Sequence, residues 1–431
     1  MSHPDVTGPA CAAPRPLSGE VRVPGDKSIG HRSLLIGALC DGPVEVTGLS
    51  HGEDNLATAR ILGQLGVRIA RGIEPDGTPS PRATVHGVGL RGLSPPDSPL
   101  DCGNSGTTMR LMLGILAGQP FEATLVGDAS LSRRPMRRVL TPLAQMGLEV
   151  LKTAEGGLPP LTVRGRSVLT EIDYATPVAS AQIKSAILLA GLYADGETRV
   201  TEPEVSRDHT ERMLAFLGRP PQARALDVPG DLSSAAFVLA AGLLVHGSDV
   251  TVRDVGVNPT RTGFLDVLAA MGAAVEVGDL REVNGEPRAD LRVTHARLRA
   301  TSVAGALAVK AIDELPLIAT LAARADGVTR IRDAAELRVK ESDRVARTAT
   351  MLRSFGVTVD EHPDGLDVHG APSAPLSAGD IHADGDHRIA MCATILGLVA
   401  PAGTRVHGAD TIASSFPSFY DVLRQLGVDV G

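Results

Sequence analysis

Lys27, Ser28 and Arg32 follow directly on Val23-Pro24-Gly25-Asp26, where a strand-like run gives way to an apolar helix. Two cations and a hydroxyl on a helical first turn join free backbone N–H groups and a partial positive charge. Such a turn can hold an anion, although a serine there is also an ordinary cap. Asn104-Ser105-Gly106-Thr107-Thr108-Met109-Arg110 offers a cap, a glycine that permits close backbone approach, and further donors. That suits an anionic group held by N–H contacts, and it is equally the composition of a turn. Ser130-Leu131-Ser132-Arg133-Arg134-Pro135-Met136 adds a basic pair in a loop before another helix.

A different chemistry is offered by Arg338-Val339-Lys340-Glu341-Ser342-Asp343-Arg344, with five ionisable side chains in seven residues. On a helix these would form a face of i,i+3 and i,i+4 ion pairs. In a loop, Lys340, Glu341 and Arg344 would bring two cations and a carboxylate near Asp313, which suits acid–base work. Gly385-Asp386-His387-Arg388 opens an apolar helix with a cation set against the helix dipole, a placement that a ligand anion would compensate. His31, His209 and His387 read as structural hydrogen-bond partners rather than catalysts.

The elements that must position these residues are repeated. A helical run ending in a large apolar residue, then Gly and a Val-rich strand, recurs at Leu65-Gly66, Met146-Gly147, Leu217-Gly218, Met271-Gly272, Phe355-Gly356 and Leu426-Gly427. A second series interleaves with it: an almost wholly apolar helix, then Gly42, Gly118, Gly196, Gly247, Gly327 or Gly403, then an alternating strand. Val-Pro-Gly-Asp itself returns at Val228-Pro229-Gly230-Asp231, as a hinge dividing three units of roughly 70 residues from three more. Helices that are apolar all round must be buried. Each half is therefore expected to be an α/β domain whose sheets surround three parallel helices, with the polar helix starts gathered together. Lys27, Ser28, Arg32, Asn104, Gly106, Arg110, Ser180, Gln182 and Lys184 fall on starts in the first half. Asp231, Ser233, Asp313, Glu314, Asp386 and Arg388 fall on starts in the second.

Composition excludes several functions. The 431 residues are 43% hydrophobic, enough for two or more cores. Only 2% are aromatic, none is Trp, and the net charge is −8, which is neither a base-stacking platform nor a basic stripe, so no nucleic-acid partner is expected. Cys11, Cys40, Cys102 and Cys392 form no CxxC pair, which fits reduced thiols in a cytoplasmic protein and signals no metal site. Residues 1–16 read as a loose Pro- and Ala-rich tail rather than a signal peptide, and no apolar run is long enough for a membrane span.

These motifs together resemble the 5-enolpyruvylshikimate-3-phosphate synthase family, over nearly the whole chain from Leu17 to Val430. The matching segments are Lys27 to Arg32, Asp101 to Thr107, Ser130 to Met136, Ser180-Ala181-Gln182, Arg207-Asp208-His209-Thr210-Glu211, Asp313-Glu314, Arg338 to Arg344 and Asp386-His387-Arg388. The resemblance implies a two-domain inside-out α/β barrel, each domain three repeated βαβαββ units around buried parallel helices. Residues 24–229 would form one domain, and residues 17–23 with 230–431 the other, because in this family the first strand crosses to the C-terminal domain.

The implied reaction moves the enolpyruvyl group of phosphoenolpyruvate to the 5-hydroxyl of 3-phosphoshikimate between the domains, with no cofactor and in a monomer. Each substrate carries a carboxylate and a phosphate of about −1.5 to −2 charge, so a local cluster of cations is required. Carried over by position, Lys27, Ser28, Arg32, Ser180, Gln182, Arg207 and Lys340 hold 3-phosphoshikimate. Lys27, Gly106, Arg134, Gln182, Arg344 and Arg388 hold phosphoenolpyruvate, and Asn104, Ala181 and Asp313 are further substrate-binding positions. Asp313, Glu341 and Lys27 are the implied catalytic groups: Asp313 at the 5-hydroxyl, Glu341 at the methylene carbon, Lys27 at the developing charge.

Two departures mark a divergent subgroup. Ser414 stands where better-known members have a Lys before the C-terminal Phe-Pro, here Phe416-Pro417, and the stretch Gly218 to Asp227 is short, which trims the third unit. The rival enolpyruvyl transferase of cell-wall synthesis commonly uses a cysteine acid in a mobile loop, and no Cys lies between Gln119 and Met136. A non-catalytic phosphometabolite-binding protein would have no need of Asp313 and Glu341 beside the cations.

Overall fold

The computed structural model describes residues 7–377, 379–400 and 404–431, so Gly403 of the second glycine series lies outside the described residues. The chain divides into two compact units. The N-terminal unit is Gly25–Val228 with Val283–Glu286, and the C-terminal unit is Met1–Pro24, Pro229–Glu282 and Pro287–Gly431. Two of the passages between units, Pro24 to Gly25 and Val228 to Pro229, fall inside the two Val-Pro-Gly-Asp segments, and the others bound Val283–Glu286. In the first copy the backbones touch: a Cβ on Gly25 would lie 1.7 Å from the Gly48 carbonyl oxygen, so only glycine fits.

Each unit is an inside-out α/β barrel. In the N-terminal unit the helices Lys27–Ala38, Gly106–Ala117 and Ala181–Ala190 are almost wholly buried and pack on one another. Leu232–Leu244, Leu315–Ala322 and His387–Gly397 do the same in the C-terminal unit. Every residue of Leu232–Leu244 is buried, as its all-round apolarity requires. Each buried Leu, Ile or Val contributes about 1.5–3 kcal/mol, which makes these triplets the main stabilising feature.

Sheets wrap the triplets. In the N-terminal unit, Leu226–Asp227, Asp41–Thr47, Pro79–Val88 and Arg68–Ile73 lie side by side in that order, and Leu100–Asp101, Glu122–Val126, Leu158–Arg164 and Glu149–Ala154 form a second sheet. The C-terminal unit repeats the plan with Val275–Val283, Glu286–Thr294, Asp249–Gly256 and Ser18–Val21, then Ser302–Val303, Gly327–Ile331, Gly365–Gly370 and Thr358–His362. In each sheet a short strand pairs parallel and the rest antiparallel. The third repeat of each unit carries two parallel strands, Asp173–Ala175 with Arg199–Thr201 and Asp380–His382 with Arg405–His407. The short stretch after Gly218 supplies only Leu226–Asp227, which completes the first sheet.

Ser18–Val21 pairs parallel with Asp249–Val252 of the C-terminal unit. Cys11 and Ala12 pair antiparallel with Val430 and Asp429, because the edge of the last strand offers unpaired N–H and C=O groups. The first glycine series has the geometry its position demands: Gly66, Gly147, Gly218, Gly272, Gly356 and Gly427 all have φ between +81° and +117°. Among the described residues no helix is long and apolar enough to cross a membrane.

Candidate active site

Side-chain caps fix five of the six buried helix starts. Asp26 accepts from Ile29 N at 2.9 Å, Ser105 from Thr108 N at 3.1 Å, Ser180 from Ile183 N at 3.5 Å, Asp231 from Ser233 N at 2.6 Å and Asp386 from Arg388 N at 3.0 Å. The sixth start, at Glu314, has no side-chain cap. Contacts between starts show that they meet within each unit.

In the N-terminal unit Lys27 reaches Asp54 at 2.9 Å, and its own carbonyl accepts from Asn55. Asp54 opens the neighbouring helix Glu53–Gln64 and holds the ammonium over the Lys27–Ala38 start. Arg32 is buried and donates through Nη1 to Ser28 O at 2.9 Å, through Nε to Thr210 Oγ1 at 2.7 Å and through Nη2 to Ser185 Oγ at 2.7 Å. Burial holds its pKa below the usual guanidinium value, while Glu211, Asp26 and Glu286 act the other way, so the group stays charged.

The Gly106 start carries its own cation pair. Arg134 Nη2 donates to Asn104 Oδ1 and, at 3.2 Å, to Ser130 Oγ, and Asn104 Nδ2 donates to Asp128 at 2.6 Å. Arg110 Nη1 donates to Gln182 Oε1 at 2.6 Å, and Gln182 Nε2 donates to Thr107 Oγ1 at 2.9 Å. Arg207 stands half-buried in the loop before His209–Leu217. Ala181 is the first residue of its helix, directly after the Ser180 cap.

His31 and His209 are structural, as read. His31 is buried, with Nδ1 2.8 Å from Thr58 Oγ1, and burial with the charges of Lys27 and Arg32 keeps it well below the usual imidazole range and hence neutral. His209 Nδ1 lies 2.7 Å from Glu286 Oε1, and Glu286 belongs to the same compact unit.

In the C-terminal unit the Arg338–Arg344 run is not a helix face. A 3₁₀ turn, Ala335–Val339, gives way to an extended Lys340, and the next helix starts only at Arg344. Arg338 is spent on Asp343 at 2.7 Å and Glu361 at 3.0 Å, and Asp343 caps Ala346 N at 3.0 Å. These groups hold the loop. Arg344, only 2% exposed at its side chain, sits amid three carboxylates: Asp386 at 2.8 Å, Glu341 at 2.7 Å and Asp313 at 3.8 Å. Burial opposes its charge, but Asp386, Glu341 and Asp313 outweigh it and raise the pKa. Lys340 Nζ lies 3.4 Å from Asp313 Oδ1.

Arg388 donates through Nη1 to the Asp313 carbonyl at 2.6 Å and lies 3.6 Å from Glu314 Oε1. The cation set against its dipole is therefore already accompanied by a carboxylate of the protein, a partner that sequence reading did not supply. Glu314 in turn accepts from Ser233 Oγ, and Ser233 Oγ accepts from Arg261 at 2.7 Å, so the three starts of this unit form one polar network.

The N-terminal unit thus offers two cationic helix starts able to hold anions, and the C-terminal unit a buried arginine among three carboxylates. The chain matches the family of EPSP synthase (3-phosphoshikimate 1-carboxyvinyltransferase) over residues 11–423. The chain belongs to the EPSP synthase family. It is 50% identical over 427 residues to a 3-phosphoshikimate 1-carboxyvinyltransferase of Alkalilimnicola ehrlichii, covering 96% of this chain and 94% of the relative. A protein of the same name from Xanthomonas campestris is 50% identical over 427 residues, covering 95% of each chain. A solved EPSP synthase structure from Acinetobacter baumannii has a TM-score of 0.85 at 40% identity, with 99% of both chains covered.

Within this family member the structure shows contacts that sequence reasoning had not supplied. Arg110, read as a donor of the Asn104–Arg110 segment, reaches Gln182 across 72 positions. Asp54, the partner of Lys27, bore no signal beyond its place in an acidic first turn. Ser414 ends the 3₁₀ segment Ala409–Ser414, which packs against the His387–Gly397 helix.

Proposed function

We propose that the chain transfers the enolpyruvyl group of phosphoenolpyruvate to the 5-hydroxyl of 3-phosphoshikimate and releases phosphate, a step towards chorismate and the aromatic amino acids. The observation that carries this is Arg344 bracketed by Glu341 at 2.7 Å and Asp313 at 3.8 Å: one buried cation for an anionic substrate, flanked by two groups able to move protons. Family membership supports the same reading.

Lys27, Ser28, Arg32, Ser180, Ala181, Gln182, Arg207, Asp313 and Lys340 hold 3-phosphoshikimate; Lys27, Asn104, Gly106, Arg134, Gln182, Arg344 and Arg388 hold phosphoenolpyruvate. Arg32 acts mainly by its charge beneath Ser28, since its side chain is engaged by Thr210 and Ser185. Arg110 joins the phosphoenolpyruvate set.

Asp313 takes the proton of the 5-hydroxyl as that oxygen bonds to C2 of phosphoenolpyruvate, and Glu341, having taken up a proton from solvent, delivers it to C3, which becomes a methyl group in a tetrahedral intermediate. The Glu341 carboxylate then removes a proton from that methyl group, the C2–C3 double bond re-forms, and the C2–O bond to phosphate breaks. Lys27 stabilises and protonates the departing phosphate; Asp313 and Glu341 then release their protons to solvent and Lys27 regains one, which restores the starting charges. The reading places the enzyme in the cytoplasm as a cofactor-free monomer, in keeping with free thiols at Cys11, Cys40, Cys102 and Cys392.

Gly106→Ala tests the phosphoenolpyruvate end. The added Cβ would lie 2.8 Å from Arg110 Nη1 and 3.4 Å from Arg134 Nη1, both ends of flexible side chains, so the helix survives and the guanidinium groups shift. The expected result is a KM for phosphoenolpyruvate raised several-fold with a smaller change in the KM of the acceptor. Unchanged constants for both substrates would remove Gly106 from the site. Phosphate release from phosphoenolpyruvate, assayed with 3-phosphoshikimate and separately with UDP-N-acetylglucosamine in the presence of a chelator, tests the function itself. Release only with 3-phosphoshikimate is expected, and no release with it refutes the reading.

A further inference from the structure

We propose that Glu202 is a positioning residue that sets the phosphate-binding geometry for 3-phosphoshikimate, an inference that rests on the acceptor assigned above. Its carboxylate is 7% exposed at the side chain and belongs to no proposed ligand contact. Oε1 accepts from Ser180 N at 3.0 Å and from Ser206 Oγ at 2.6 Å. Oε2 accepts from Ser206 N at 3.3 Å and lies 2.7 Å from Lys184 Nζ. Lys184 stands one turn after Ser180 on the Ala181–Ala190 helix, also pairs with Glu211 at 2.8 Å, and donates to Ser206 O at 3.4 Å. One carboxylate therefore ties a substrate-binding helix start to the loop that carries Arg207, the residue next to Ser206.

The arrangement is one of geometry rather than attraction. A bare carboxylate there would repel a phosphate, and Lys184, shared with Glu211, offsets part of that charge. Burial acts to raise the Glu202 pKa, while Lys184 and Ser206 outweigh burial and keep the group ionised, so the tie persists at neutral pH. It also decides what Ser180 presents. The Ser180 N–H is taken by Glu202, and its Oγ accepts from Ile183 N at 3.5 Å, which leaves the hydroxyl proton as the donor that Ser180 offers an anion. A free Ser180 N–H would make a different, less directed site.

Glu202→Gln tests the proposal in the full-length enzyme, because the amide keeps the shape but turns an NH₂ toward Lys184 Nζ or toward the Ser206 and Ser180 donors. Steady-state phosphate release should show the KM for 3-phosphoshikimate raised about tenfold, with kcat and the KM for phosphoenolpyruvate changed less than about twofold. Ser206→Ala removes one donor without touching a buried charge and should give a smaller rise, about threefold, confined to the same KM. Both variants with unchanged KM values and only a lower melting temperature, or with both KM values raised equally, would overturn the proposal. Failure of the unmodified enzyme to use 3-phosphoshikimate would overturn the assigned acceptor instead.

Discussion

Glu341→Gln lowers kcat by about 10²–10⁴-fold, the usual contribution of a positioned acid–base group. The substitution keeps an oxygen for Arg344, which lies 2.7 Å from the native carboxylate, so the guanidinium and the loop from Lys340 to Asp343 should stay in place. What is lost is the proton for the methylene carbon and the base that later removes one. Steady-state phosphate release should therefore show a collapse of kcat with KM values shifted little, the signature of an interaction made in the transition state. Asp313→Ala should also be slow, with an added rise in the acceptor KM because Lys340 loses the carboxylate 3.4 Å away. Near-normal turnover in both variants, with structure unchanged, would refute the assigned roles.

The second large effect is on stability. Asp386→Ala removes the carboxylate that receives Arg344 Nε at 2.8 Å, Ser342 Oγ at 2.8 Å and the Arg388 backbone N–H at 3.0 Å. Arg344 remains close to Glu341 and more distantly to Asp313, but its best partner is gone, and breaking a buried pair from one side costs about 3–5 kcal/mol. Urea unfolding should show a matching loss. The effect has a pH signature. Burial by itself raises the Asp386 pKa; the Arg344 charge overrides it, and the pKa ends below the ordinary carboxylate value. A depressed folded-state pKa contributes stability that is fully present above the unfolded value near about 4 and is lost as pH falls through the folded value. The unmodified protein should thus lose more stability than Asp386→Ala on acidification below about pH 4. Equal losses, or an unfolding midpoint unchanged by the substitution, would contradict this account of Arg344.

Which parts of this arrangement can be read from residues alone depends on range. The six glycines from Gly66 to Gly427 announce themselves because a helix end needs φ > 0, a local demand that leaves a local mark. Lys27, Gly106, Ser180, Asp313 and Arg388 are legible because a polar first turn on an apolar helix is a local contrast. Arg344 is legible as a charge but not in its surroundings. Its partner Asp386 lies 42 positions away on another helix, and no spacing rule connects them. The tie from Glu202 to Ser180 and Ser206 is hidden in the same way, inside a stretch whose composition is that of any loop. The docking of Cys11 and Ala12 on the last strand is a pairing between opposite ends of the chain, while Pro- and Ala-rich composition speaks only of local disorder.

One measurement reaches the central claim, that the carboxylates flanking Arg344 run an addition followed by an elimination. The reaction is carried out in D₂O with 3-phosphoshikimate and phosphoenolpyruvate, and the vinyl methylene of the product is examined by NMR and mass spectrometry. If Glu341 delivers a solvent-derived deuteron to C3 and then removes one of the three hydrons of the transient methyl group, the product methylene carries deuterium. A product formed at full rate with no deuterium at that carbon would mean that no methyl intermediate exists, and the proposed mechanism would be wrong.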